Sequence, residues 1–201
     1  MALIRLNNQS LTSVTALPAA DGSSLTGLSV GGLQLINRTS FNQAEPVILD
    51  NLFTSNYEVY DILLFLNASV NNVQVKMKFI ESDGTVEADS IFDYAFEGRD
   101  NDVAARSFGA NNSSNIRLCT ALENTNSFSM RLNLFHPQTS TEQTYGSCLI
   151  SSTVNINDDT EVLSGAFSNS STQSYRGLQF HTDLGSSTLD GQFYCYGLAK
   201  S

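Results

Sequence analysis

The chain is predicted to be all-β: an antiparallel, jelly-roll-like β-sandwich carrying an extended N-terminal arm. Three observations lead there. Val73 to Phe79 alternates apolar and polar residues without a break, as Val73, Gln74, Val75, Lys76, Met77, Lys78, Phe79. A two-residue period puts the apolar side chains on one face of a strand and the polar ones on the other. The rhythm returns at Phe128, Met130, Leu132 and Leu134, separated by Ser129, Arg131 and Asn133. Strands with one dry and one wet face belong to antiparallel sheets. Finally, about ten strand-like segments follow one another at spacings of roughly 8–20 residues with turn residues between them, and no stretch carries the period of an amphipathic helix.

In chain order, residues 1–32 differ from the rest. Leu3, Ile4, Leu6, Leu11 and Val14 are apolar anchors scattered among Asn, Gln, Ser and Thr, with Arg5 among them. Such a segment predicts an arm ordered by lying on a neighbouring surface. The sandwich is expected over 33–201. Leu33–Asn37 and Pro46–Phe53 are its first strands. Tyr57–Ala68 is apolar on both parities, which suits a central strand or one covered by a partner. Asn71-Asn72 is expected to turn it back into Val73–Glu81 as a hairpin, and Asp83-Gly84 is a strong turn signal beyond. Ser90–Glu97 sets Phe92, Tyr94 and Phe96 on one face. Residues 98–114 read as a long polar loop, a candidate functional loop, with room for one helical turn around Val103–Phe108. Asn115–Thr120 is expected to pair with Phe128–Phe135. Thr144–Val154, Glu161–Phe167, Tyr175–His181 and Gln192–Leu198 complete the set.

Composition narrows the function. Charged residues are 15% of the chain, against a usual ~25%, and Ser, Thr and Asn make up roughly three residues in ten. Neutral polar groups of this kind favour turns and exposed strand faces. The net charge of −10 repels phosphate backbones and argues against nucleic-acid binding. No run approaches the ~18 apolar residues of a membrane span, so no membrane insertion is expected. The first residues hold no apolar stretch of a secretory signal, so synthesis in a reducing cytosol is expected. Cys119, Cys148 and Cys195 are odd in number, widely spaced and flanked by apolar residues, which predicts buried free thiols.

Residue chemistry offers no convincing catalytic site and no cofactor is expected. His136 and His181 lie at no metal-ligand spacing. Gly27-Leu28-Ser29-Val30-Gly31 matches a nucleophile elbow in letters, but no helical pattern follows it. His181 beside Asp183 reads as a strand end next to a turn. Asp158, Asp159 and Glu161, or Asp100 and Asp102, are oxygen donors of the type calcium takes, and read first as solvated turn residues. Sugar sites need aromatic platforms. The chain has no Trp, and most of its Tyr and Phe fall on core parities. Tyr145 and Tyr175 are the exposed, ligand-facing candidates.

The opening, Met1-Ala-Leu-Ile-Arg-Leu-Asn-Asn-Gln-Ser-Leu-Thr-Ser-Val-Thr-Ala-Leu-Pro18, resembles the N-terminus of virion proteins of tailed phages from marine and freshwater bacteria. Leu52-Phe-Thr-Ser-Asn-Tyr-Glu-Val-Tyr-Asp-Ile-Leu63 is similar to a motif of the same proteins, where strands, a Gly turn and an aromatic strand follow. Here those are Val73–Glu81, Gly84 and Phe92-Asp-Tyr-Ala-Phe96. Gly191-Gln-Phe-Tyr-Cys-Tyr-Gly-Leu198 resembles their closing strand. The resemblance implies a non-enzymatic capsid fibre, head decoration or tail-fibre component, usually a homotrimer, located in the virion and made in the host bacterial cytoplasm. Its implied partners are further copies of itself and phage capsid or tail proteins. Anchoring would then fall to Leu3, Ile4, Arg5, Leu6, Leu11 and Val14. The alternative is a receptor- or glycan-binding module of a fibre tip, contacting a host-surface glycan through Tyr145, Tyr175 and residues 98–114.

Overall fold

The computed structural model describes residues 32–102, 104–124, 127–154 and 159–199. The anchors Leu3 to Val14 and the Gly27–Gly31 match lie outside them. Among the described residues twelve strands form: β1 (Leu33–Ala44), β2 (Val47–Leu49), β3 (Tyr57–Ala68), β4 (Val75–Glu81), β5 (Phe92–Asp100), β6 (Ala105–Ser113), β7 (Ile116–Arg117), β8 (Phe128–Phe135), β9 (Tyr145–Val154), β10 (Asp159–Asn169), β11 (Tyr175–Thr182) and β12 (Leu189–Ala199). An eight-stranded sheet runs β1-β12-β3-β8-β9-β10-β5-β6, and a four-stranded sheet runs β2-β11-β4-β7. Every pairing is antiparallel. The expected all-β sandwich is what the chain adopts.

The alternating segments place its core. Val75, Met77 and Phe79 of β4, with Leu178 and Phe180 of β11, are fully buried. Facing them are Tyr60, Ile62 and Leu64 of β3 and Phe193 and Cys195 of β12, equally buried. Phe79 ties the layers together, its ring centroid 5.6 Å from Phe92 and 4.8 Å from Tyr175. The three cysteines are free and buried, and burial pushes each thiol up to about 12. They stay protonated and pack as small hydrophobes. Close strand approach also shapes the sheet: a Cβ on Gly98 would stand 1.8 Å from the Val162 carbonyl oxygen.

Several local expectations fail, each for a nonlocal reason. The Asn71-Asn72 hairpin does not form. Both neighbours of β3 are taken, by β12 and β8, so the chain crosses to the other sheet and β4 pairs with β11 and β7. Asn72 still adopts a φ of 61°, because the residue chemistry of a tight turn also serves a crossover. The link from β11 to β12 crosses back beside the first, the Ser69 N–H donating to the Thr188 carbonyl at 2.9 Å. Asn115–Thr120 does not pair with β8. Its strand core, β7, joins β4, with Ile116 opposite Met77.

Most of 98–114 is strand: only the short turn between β5 and β6 and Ser114 stand outside it among the described residues. β5 runs on to Asp100, β6 returns beside it, and Phe96 lies opposite Phe108 with ring centroids 5.4 Å apart. The described part of the suggested helical turn, 105–108, is strand. Polar composition hid the hairpin because β6 is an edge strand with half its surroundings in water. β1 likewise extends to Ala44, past the expected Asn37, by absorbing two register shifts. β2 is shorter than expected, three residues.

Candidate functional site

Residues paired from strand to strand line up in rows on the face of the eight-stranded sheet that points away from the core. One row reads Arg38, Tyr194, Leu63, Arg131, Leu149, Ser164, Glu97, Ser107. Its character changes midway. Over β1, β12 and β3 the face is bulky, with Leu33 56%, Leu35 57%, Phe65 47% and Leu198 45% exposed. Arg38 lies over the Tyr194 ring, 5.4 Å from its centroid. Over β9, β10, β5 and β6 many of the outward residues are small, among them Ser147, Ser164, Ala166, Ala95, Ser107 and Gly109, with Leu149 and Val162 as exposed exceptions. At the boundary Arg131 donates to both carboxylate oxygens of Asp61, at 3.0 and 2.8 Å.

Where side-chain bulk is lost, a groove opens. One end of it has a volume of about 510 Å³, floored by Ala95 and Ala166 and bounded by Phe135, Tyr145, Asp93, Asn111, Ser147 and Ser168. Phe135 and Tyr145, opposite each other on β8 and β9, stack at 4.8 Å with an interplanar angle of 12°. Tyr145 stays 45% exposed. His136 is 5.8 Å from the Tyr145 ring, and its Nδ1 is 3.2 Å from Glu142 Oε2. Asp93 Oδ1 accepts the Asn112 backbone N–H at 2.7 Å, which leaves Oδ2 as an acceptor.

Of the two expected ligand-facing tyrosines, the fold exposes Tyr145 and corrects Tyr175. Tyr175 is fully buried. Its hydroxyl donates to Glu87 Oε2 at 3.2 Å and accepts from the Asn169 side-chain amide. Burial first, and then the neighbouring Glu87, raise its pKa. Parity alone sets Tyr175 opposite Phe180, but a register shift between Tyr175 and Gly177 reverses it. A bulge of this kind sends two successive side chains against one partner residue.

The other described candidates are not brought together. Asp183 accepts the Gln74 backbone N–H at 2.8 Å, whereas His181 Nδ1 is buried without a hydrogen-bond partner. Burial, then Lys78 and Lys76, push the His181 pKa down from 6.5 to about 4. Asp158 and the side chain of Asp159 lie outside what the structure describes. Glu161 is fully buried and accepts from Ser152 Oγ at 3.0 Å, and burial raises its pKa. Asp100 holds Arg106 at 2.8 Å and caps the Ala104 N–H at 2.8 Å. Among the described residues no three His, Cys, Asp or Glu side chains are grouped to hold a metal ion.

Sequence reasoning passed over Phe135, Asp93, Ser147 and Ser168, whereas Asn111 falls within the candidate segment 98–114. One signal for Phe135 was present: it shares the polar parity of Ser129, Arg131 and Asn133, so an aromatic ring is committed to the wet face. The others come from strands far apart in sequence. Comparison of the chain with protein-family models, with curated proteins and with solved structures found no match.

Proposed function

We propose that the chain is a non-enzymatic structural component of a tailed-phage virion. In this reading it is a surface appendage or cement protein of the head or tail, held by residues 1–32 and present as a homo-oligomer. The apolar half of the outer sheet face carries the reading. Leu33, Leu35, Phe65 and Leu198 sit on three adjacent strands at 45% exposure or more, and monomeric proteins rarely leave a contiguous apolar patch of that kind. A second copy of the chain is the occupant that suits it. The edge strand β1 is 12 residues long and contains neither Lys nor Pro, so strand addition is open to it between its two register shifts, over Asn37–Phe41. The whole face over three strands measures ~40 by ~15 Å, its apolar residues interspersed with Arg38, Ser40, Asp61 and Gln192, and with the edge it offers a surface of the order of the ~800 Å² per partner of a stable interface. The resemblance of the opening, of the segment from Leu52 and of the closing strand to virion proteins supplies the kind of particle.

Light-scattering mass and co-sedimentation with purified tailed-phage particles test this. The expected result is an oligomer that joins the particles, and a monomer when Leu35→Asp and Phe65→Asp are combined. A wild-type chain that is monomeric at about 100 μM and stays in the supernatant overturns it.

A further inference from the structure

We propose that the groove end bounded by Phe135 and Tyr145 binds neutral saccharides, taken as hexose rings of a linear glycan. The aromatic pair is the first reason. Its rings are nearly parallel and in contact, so Tyr145 is braced by Phe135 while still presenting a solvent-facing surface. A hexose offers C–H groups on one face, and a braced ring receives that face with little side-chain freedom left to lose.

The second reason is the ring of short polar groups around this plate. A sugar's edge hydroxyls each need partners at ~2.7–3.2 Å, of both donor and acceptor type. Asp93 Oδ2, the Asn111 amide and the Ser147 and Ser168 hydroxyls supply both types at the groove wall. Ala95 and Ala166 line the groove between those groups, their short side chains leaving its surface open to a ring. The volume, about 510 Å³, falls within the ~300–1,000 Å³ typical of small-molecule sites.

Charge and shape sharpen the ligand class. Asp93 is the one ionisable carboxylate lining this end, and no Lys or Arg lines it, which disfavours uronic and sialic acids. The groove does not stop there. Ala95 also lines a neighbouring hollow reaching Glu97 and Ser107, and Ser147 also lines one reaching Arg131 and Leu149. Consecutive rings of a chain would therefore lie across β9, β10 and β5, with the Tyr145 end holding one of them. This site is separate from the apolar half of the face, so the binding it predicts does not depend on self-association.

The test uses the full chain and four uncharged probes, maltohexaose, cellohexaose, mannohexaose and galactohexaose, with an oligogalacturonate as the acidic control. Binding is read from aromatic resonances and from tyrosine fluorescence, which no Trp obscures. The expected result is saturable perturbation of the Tyr145 and Phe135 rings by at least one neutral hexaose. Tyr145→Ala is expected to weaken that binding about tenfold or more, with a thermal midpoint within about 2 °C of wild type. Tyr145→Phe keeps it within a few-fold, and Tyr194→Ala, on the apolar half, leaves it unchanged. Ala166→Leu, which fills the floor from the exposed side, abolishes it without touching the core. The proposal is overturned if no neutral hexaose perturbs these rings at about 10 mM, if the acidic control binds more tightly than all four, or if both Tyr145→Ala and Ala166→Leu bind as wild type does.

Discussion

The two halves of the outer face of the eight-stranded sheet share one backbone pattern and carry opposite surfaces. Over β1, β12 and β3 the outward positions include Leu33, Leu35, Tyr194, Leu198 and Phe65; over β9, β10, β5 and β6 about half of them hold Ser, Ala or Gly. The first half presents a broad apolar band, and the second a groove with a single aromatic plate at one end. Side-chain volume alone separates them, since both are built from paired antiparallel strands of one sheet. Such a difference teaches that a sheet face can be divided into an adhesive region and a receptive one without any change of fold. The inner face divides along a related line. Four strands cannot cover eight, and towards β10, β5 and β6 the inward residues turn polar, with Glu161, Ser152, Asp100 and Arg106 replacing the Leu and Phe found under the small sheet.

The sharpest way to break the comparison is to exchange inside for outside. Phe193→Ala removes a fully buried ring facing the Phe180 ring across the sheets, at 6.3 Å, and is expected to cost about 3–5 kcal/mol. Tyr145→Ala, on the groove, is expected to stay within about 0.5 kcal/mol. Urea midpoints of the two variants check this, and similar losses would mean that the outer plate is part of the core after all.

A smaller effect is expected at the border between the halves. Arg131→Ala removes both hydrogen bonds to Asp61, whose side chain is 12% exposed while that of Arg131 is 60% exposed. Water screens such a pair, so the expected loss is small and shrinks as salt is raised. A loss that is unchanged between low and high salt would show that packing, rather than charge, marks the border.

The smallest effect concerns the outer face of the four-stranded sheet, where His181 sits opposite Lys76 and close to Lys78. Asp183 opposes the two lysines, more weakly than they and burial together act. The folded protein therefore binds the His181 proton less readily than the unfolded chain does. The stability this contributes is fully present above the unfolded value of 6.5 and drains away as pH falls towards about 4. His181→Gln is expected to show a smaller drop in urea midpoint between pH 7 and pH 4.5 than wild type. Equal drops would place the acid sensitivity on other groups.

How much of this was legible beforehand follows from the range of each interaction. Strand existence was readable wherever one face is dry and the other wet, as at Val73–Phe79 and Phe128–Leu134, because burial imposes the two-residue period directly on the sequence. Tyr145 was readable for the same reason, on the outward parity of its strand. Tyr175 was not, since one bulge inverts parity and a bulge is set by the partner strand. The β5–β6 hairpin was hidden by the polarity of its edge, and the course of the chain after Ala68 by the prior occupancy of both sides of β3. By itself, the sequence determined an all-β body, its dry faces and its buried thiols, all consequences of local alternation and composition. Only the tertiary structure decided which strands are neighbours, and so which outward residues meet. The groove exists because β8, β9, β10, β5 and β6 bring Phe135, Tyr145, Ser168 and Asp93 into one row, a juxtaposition fixed by long-range hydrogen bonding that no local pattern encodes.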